Sequence, residues 1–188
     1  MTITDRLIAP GATRSEAALC YSSAVFGGVT AALLARNAGG SALIVAVVAL
    51  IGFDLFGGAV VNATASAKNW FHRPGRSTRH HLTFVAVHGQ PFLLALVVPG
   101  FGWWVAAAIY SLVLAAAVVV LSVPDQLRVP IAFAATVFGV VITTTMLTVP
   151  TFLLWFGPVL LIKLLLAHLQ PDTAAPVQAI SWSPAVRR

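Results

Sequence analysis

Long runs of apolar residues alternate with short polar breaks along most of this chain. Six runs are long enough to cross a lipid bilayer, which takes roughly 20 mostly apolar residues. They cover residues 17–35, 41–65, 80–98, 103–123, 131–149 and 151–169. Glycine, proline and charged residues form the breaks, as in Pro99-Gly100-Phe101-Gly102. The pattern predicts an all-α bundle of six transmembrane helices in a single domain over residues 1–170, followed by a flexible cytoplasmic tail at 171–188.

Two prolines complicate the last boundary between predicted spans. Pro150 and Pro158 lie in one long apolar stretch. Either residue is compatible with a turn or with a kink, because proline lacks a backbone donor and disfavours the helical conformation of the preceding residue. A five-span arrangement therefore stays open, with one of the two final segments entering the membrane without crossing it.

Local motifs predict how the first long helix begins and packs. Thr13 and Glu16 stand three residues apart before the first apolar run, which matches a helix capping box. Ser23, Gly27 and Ala31 then recur at four-residue spacing. Small residues at this spacing let a second helix approach closely.

Composition supports a membrane protein. Hydrophobic residues make up 59% of the chain and charged residues only 9%, whereas soluble domains have about 45–50% and about 25% respectively. A soluble domain of 188 residues could not bury this much apolar surface. The one cysteine, Cys20, excludes an intrachain disulfide.

The distribution of positive charge predicts the orientation. The net charge is +6, and with the N-terminus placed in the cytoplasm only Arg36 of the 11 Lys and Arg residues falls on the outer side. Positive charge collects on the cytoplasmic side of membrane proteins. The charge is therefore explained without a nucleic-acid partner, and we expect membrane lipids as partners. Both termini are predicted to be cytoplasmic, in a plasma membrane of the bacterial type.

Ionisable residues inside predicted spans cluster between Asp54 and His88. Such residues are rare in membranes and indicate function. If the second and third spans are antiparallel neighbours, helical rise places Asp54 opposite His88. Asn62 and His81 then lie about 12 Å and about 10 Å nearer the cytoplasm, opposite each other.

Several of these residues also have a purely structural interpretation. Asp54 or His88 could serve packing alone, with a backbone group as partner. Lys163, in the last span, is expected to extend its ammonium group to the membrane surface. Three arginines in the loop before the third span are typical of topology signals that also contact lipid headgroups: Arg73, Arg76 and Arg79.

Two kinds of site chemistry fit the cluster. One is a single divalent metal, zinc or iron, since carboxylate and imidazole groups are suitable ligands. Its ligands would be Asp54, His72, His81 and His88. The other is metal-free acid–base chemistry, with Asp54 as the acid and His88 as the base or the group that orients the acid. Protonation of an alkene or epoxide in an isoprenoid isomerase or cyclase is an example.

The sequence leaves three functions open. We favour a membrane-embedded enzyme acting on a lipophilic substrate, in which Asn62 and His81 contact or support the substrate and the three loop arginines attract an anionic headgroup. A proton-coupled transporter or channel is the first alternative, because Asp and His residues mark proton pathways. A non-catalytic membrane subunit is the second, and a homo-oligomer is compatible with all three.

Overall fold

The structure is a computed structural model that describes residues 3–171. Every regular element in this part of the chain is helical. Within those residues the α-helices are α1 (Ile3–Leu7), α2 (Arg14–Asn37), α3 (Ala42–Ala63), α4 (Ala65–Phe71), α5 (Thr78–Ala86), α6 (Gln90–Val97), α7 (Trp103–Ser122), α8 (Asp125–Val141) and α9 (Phe156–Leu161). Two π-helical segments, Ile142–Met146 and Ile162–His168, extend α8 and α9, and a 3-10 turn at Thr151–Leu153 precedes α9. The all-α prediction is confirmed. The predicted tail lies outside the described residues except for Pro171.

Five helical segments in this part of the chain are long and apolar enough to cross a membrane. They are Arg14–Asn37, Ala42–Ala63, Trp103–Ser122, Asp125–Met146 and Thr151–His168. Large apolar side chains also point outward, and Phe26, Leu50 and Phe138 are each 69% exposed. Isolated apolar side chains are normal on a soluble surface, but a surface dominated by them suits lipid contact. These are the features of a helical membrane protein.

The predicted third span is not one continuous helix. Residues 80–98 fall on α5 and α6, which are separated by a break at residues 87–89. Pro91 explains the break, because in an uninterrupted helix its ring would clash with the carbonyl of Val87. Proline is accommodated in the first turn of a helix, and Pro91 indeed lies in the first turn of α6. The prediction of a single helix here is wrong.

The two late prolines have different roles. Pro150 adopts an extended conformation (ψ 135°) in the non-helical turn between α8 and α9. Pro158 lies inside α9, near its beginning, where a missing backbone donor costs little. The last two predicted spans are therefore separate helices joined by a turn at Pro150.

The beginning of α2 is fixed by the predicted capping box. Thr13 Oγ1 accepts from Glu16 N at 3.1 Å, and Thr13 N donates to Glu16 Oε2 at 2.8 Å. The same carboxylate accepts from Ser66 Oγ at 2.7 Å. Glu16 thus links the beginning of α2 to the beginning of α4.

Small residues bring α2 and α3 into close contact. A Cβ atom placed on Gly27 would lie 2.3 Å from Phe56 Cβ, and one on Gly52 would lie 2.6 Å from Ala31 Cβ. Ser23 Oγ donates to the Phe56 carbonyl at 3.2 Å. The predicted packing role of Ser23, Gly27 and Ala31 is confirmed.

The last helical segment, which is α9 together with its π-helical extension Ile162–His168, lies at the centre of the bundle. It contacts α3, α7 and α8. Leu160, Leu161, Leu164 and Leu165 are each at most 1% exposed. Its two polar side chains, Lys163 and His168, are each 3% exposed and are therefore directed into protein.

Candidate functional site

A cavity of about 360 Å³ lies between α2, α3, α5 and the last helical segment. Most of its wall is apolar or aromatic. The residues that line it are Leu7, Ile8, Cys20, Tyr21, Ala24, Phe53, Asp54, Gly57, Gly58, Val61, Asn62, Phe71, Phe84, His88 and Lys163. Below we call it the central cavity. Pockets of this size and character, with a few polar groups converging on them, are typical of small-molecule sites.

An ion pair forms the polar part of the wall. Lys163 Nζ lies 2.7 Å from Asp54 Oδ2 and 3.3 Å from the Asp54 carbonyl oxygen. Gln90 Nε2 donates to the same Oδ2 atom at 3.0 Å. The two charges are buried unequally, because the Lys163 side chain is 3% exposed and that of Asp54 is 51% exposed. A buried ammonium group needs such a partner, since an unpaired charge in an apolar environment is costly.

Local backbone features bring Lys163 into this position. A Cβ atom on Gly58 would lie 2.5 Å from Lys163 Cε, so a larger residue there would force the lysine side chain to shift from its position against α3. Lys163 also lies in the π-helical segment Ile162–His168. π-helical turns are rare and frequently occur at functional sites. The same segment carries His168, the other buried ionisable residue of the last helix.

The break between α5 and α6 places His88 at the cavity. His88 is 8% exposed, and its Nδ1 atom lies 2.6 Å from the Phe84 carbonyl oxygen. A carbonyl oxygen only accepts hydrogen bonds, so Nδ1 carries the proton. In the neutral ring, Nε2 then has a free lone pair and can act as a base.

Asn62 contributes a free amide to the same wall. It is 4% exposed, and its Nδ2 atom has no hydrogen-bond partner among the described residues. Buried polar atoms are nearly always satisfied, so an orphaned donor at a cavity wall indicates a group that binds there.

The structure brings together some of the residues predicted from the sequence and separates others. Asp54, His88 and Asn62 line the central cavity, but His81 does not. The expected position of Asn62 opposite His81 is therefore wrong. The reason is that the last helical segment, rather than α5, packs against this face of α3.

His81 belongs to a second cluster, formed with His72 and His168. His81 Nδ1 lies 3.3 Å from His168 Nε2, and His72 Nε2 lies 2.9 Å from the His168 carbonyl oxygen. The rings of His72 and His81 stack with centroids 4.5 Å apart. Burial lowers the pKa of His72, although its bond to the carbonyl opposes that shift. His72 therefore favours the neutral form.

The four metal ligands suggested by the sequence are divided between these two places. His72 and His81 lie in the histidine cluster, whereas Asp54 and His88 line the central cavity. Within residues 3–171, no group of three or more His, Cys, Asp or Glu side chains is placed to hold a metal ion. A single metal on the suggested set would require a different arrangement of these side chains.

The three loop arginines also differ from one another. The Arg73 guanidinium lies 3.6 Å from the centroid of the Trp70 ring and donates to the Trp70 carbonyl. Arg76 and Arg79 are exposed and line a surface groove beside α5. Arg73 is thus held by a neighbour on α4, and the other two are available to a ligand.

Sequence reasoning missed Lys163, Gln90 and His168 as members of the two clusters. Lys163 was expected to reach the membrane surface, but its ammonium group is buried against Asp54. The sequence did contain a signal for Lys163, because an ionisable residue within an apolar span indicates function even when its side chain is long enough to reach the membrane surface. His168 gave only a weak signal, since it stands at the end of its span.

Comparisons with protein-family models, with characterised proteins and with solved structures found no match to this chain. The two clusters and the cavity are therefore the features from which function can be inferred.

Proposed function

We propose that the protein is a membrane-embedded enzyme that performs acid–base chemistry on a lipophilic substrate bound in the central cavity. The observation that carries the proposal is the Asp54–Lys163 pair at the wall of an otherwise mostly apolar cavity. A mid-membrane ion pair is expensive to maintain, and such groups are usually functional. The apolar wall favours a substrate that enters from the lipid phase.

Isomerisation of a double bond is the reaction that these side chains support best. His88 Nε2 accepts a proton from a carbon next to the double bond, and the electron pair of that C–H bond forms the new double bond. The Asp54–Lys163 pair donates a proton to the carbon at the far end of the old double bond. His88 then gives its proton to water and the Asp54–Lys163 pair takes one up from water, which restores the site. The reaction needs no oxidant, reductant or leaving group.

Two amides position the participants. Gln90 Nε2 donates to the Asp54 carboxylate at 3.0 Å, and Gln90 itself does not line the cavity. Asn62 Nδ2, which has no partner within the described residues, donates to a polar group of the substrate. Together they fix the acid and the substrate at one end of the cavity.

Incorporation of solvent deuterium tests this proposal. The purified protein is incubated in D₂O with a total lipid extract of the cells that express it, and mass spectrometry detects deuterium at carbon-bound positions. We expect one lipid to gain deuterium with the wild type, and Asp54→Asn and His88→Gln to abolish the gain. Asp125→Asn, which removes an exposed carboxylate in a surface ion pair, is the control. Equal incorporation by Asp54→Asn, in a variant that elutes as the wild type does, would refute the mechanism.

Proton-coupled transport is the second candidate, and the same ion pair favours it. Asp54 and Lys163 join two different membrane-crossing segments. Protonation of Asp54 would release Lys163 and allow those segments to separate. Proteoliposomes under an imposed proton gradient test this idea. Flux equal to that of empty vesicles would count against it.

We also propose that the chain crosses the membrane six times, with both termini in the cytoplasm. α5 and α6 together cover residues 78–97, which at about 1.5 Å per residue make up one broken crossing. The position of Arg36 as the one outer basic residue supports the orientation. The variants Arg36→Cys and Arg128→Cys, each in a Cys20→Ser background, should react with a thiol label from opposite sides of sealed vesicles. Labelling from the same side would refute this topology.

A further inference from the structure

A basic groove and a smaller recess adjoin each other beside α5. The groove has a volume of about 660 Å³ and includes Arg76, Arg79, His80, Phe84 and Val87 in its lining. The recess has a volume of about 90 Å³ and is lined by Phe71, Arg76, His80, His81, Phe84 and His168. Arg76, His80 and Phe84 line both spaces, so the two lie on either side of these side chains.

No acidic residue lines the groove or the recess within the described part of the chain. The ion pairs Arg128–Asp125 and Lys163–Asp54 include neither Arg76 nor Arg79. Two guanidinium groups beside His80 make a strongly positive surface. Guanidinium groups match phosphate oxygens in geometry as well as in charge, and they bind them with paired hydrogen bonds.

An independent observation points to a ligand in the recess. His168 is 3% exposed, and its Nδ1 atom has no hydrogen-bond partner in the described part of the chain. Its Nε2 atom is already occupied by His81 Nδ1 at 3.3 Å. When His81 donates in that bond, the neutral His168 ring carries its proton on Nδ1, which then donates to an oxygen bound in the recess.

The recess also adjoins the central cavity. Phe71 and Phe84 line both, and their ring centroids lie 5.6 Å apart. These two rings form the partition between the basic recess and the apolar space beside Asp54. An amphipathic molecule with its anionic group among the arginines would therefore place its apolar part at the phenylalanine partition.

We propose that Arg76, Arg79, His80 and His168 bind the phosphate group of a lipophilic substrate, whose apolar chain passes Phe71 and Phe84 into the central cavity. This inference rests on the proposed enzyme function and specifies its substrate class as a lipid phosphate. The arginines capture the headgroup from the membrane surface. The partition then directs the chain toward Asp54, Lys163 and His88.

Equilibrium binding of dodecyl phosphate to the whole protein in a non-ionic detergent tests the inference. We expect dodecyl phosphate to bind at least about tenfold more tightly than dodecanol, because charge-assisted bonds contribute this much or more. The double variant Arg76→Gln/Arg79→Gln should lose that difference. Arg36→Gln, which removes an exposed arginine elsewhere on the chain, should keep it. Equal binding by the double variant and Arg36→Gln would overturn the inference.

Competition identifies the source of the phosphate. Inorganic phosphate should displace dodecyl phosphate poorly, since it has no apolar chain for the central cavity. Efficient displacement by inorganic phosphate would indicate a free-phosphate site and would overturn the assignment of a lipid phosphate substrate.

The binding test is independent of the deuterium test of the proposed reaction. Binding is measured without turnover, and Asp54→Asn should retain it because Asp54 lies outside the recess. If the wild type incorporates deuterium but does not bind dodecyl phosphate, only the proposed substrate class is refuted. If the wild type binds dodecyl phosphate but incorporates deuterium into no lipid, the proposed reaction is refuted instead.

Discussion

Unequal burial of the Asp54–Lys163 pair predicts that its two halves contribute unequally to stability. Lys163 is 3% exposed and Asp54 is 51% exposed. Asp54→Leu leaves an unpaired ammonium group inside the bundle. Lys163→Met leaves a carboxylate at the wall of the central cavity, where it can be neutralised by a proton, and it still accepts from Gln90 at 3.0 Å. The first substitution should therefore cost much more stability than the second.

The magnitude follows from the environment of the charge that remains. Breaking a buried ion pair by removing one partner costs about 3–5 kcal/mol. Lys163 keeps its contact with the Asp54 carbonyl oxygen at 3.3 Å, and it can also lose its proton. We therefore expect about 3 kcal/mol for Asp54→Leu, at the lower end of that range. For Lys163→Met we expect about 1 kcal/mol or less, because an apolar side chain of similar length also packs well in the core.

Unfolding in mixed micelles, titrated with sodium dodecyl sulfate and followed by tryptophan fluorescence, measures these free energies. The double variant Asp54→Leu/Lys163→Met should recover most of the stability lost in Asp54→Leu, because no unpaired buried charge is left. Asp125→Asn, at a carboxylate that is 86% exposed, should change the free energy of unfolding by at most about 0.5 kcal/mol. A loss for Lys163→Met as large as that for Asp54→Leu would refute the argument from burial.

Two further predictions concern the surroundings of the site. Gly58→Ala should displace the Lys163 side chain and lower the free energy of unfolding by about 1–2 kcal/mol. Gly89→Ala, where an added Cβ meets nothing within 4 Å, should cost only about 0.5 kcal/mol, because alanine is a weaker N-cap for α6. Equal losses in the same titration would contradict the steric argument. Because burial lowers the pKa of His72, the unfolded chain binds more protons than the folded one below pH about 6.5, so stability should fall as the pH drops from there toward the lowered pKa. His72→Gln should flatten this dependence, and an unchanged slope between pH 7 and pH 5 would contradict the assignment.

Much of the local structure could be predicted from the sequence. Runs of apolar residues determine membrane-crossing helices because each residue adds a fixed rise, and five of the six predicted runs correspond to the five long apolar helices. The capping box at Thr13 and the small residues on α2 also behave as predicted, since both depend on neighbours within one helix or on side-chain size. Asp54 and His88 were predicted to lie opposite each other from helical rise and from the assumption that the second and third spans are antiparallel neighbours, and both line one cavity.

Which side chains meet across the bundle depended on tertiary structure. Sequence spacing gives the depth and face of a residue, but it does not say which helix packs against that face. The last helical segment, distant in the chain, lies against α3 and places Lys163 beside Asp54, and it separates Asn62 from His81. Gly58, which lies against the Lys163 side chain, contributes to this contact through the same long-range packing. The sequence by itself determined a helical membrane protein with a polar cluster, and tertiary packing decided that this cluster is an ion pair at one cavity and a set of histidines at another.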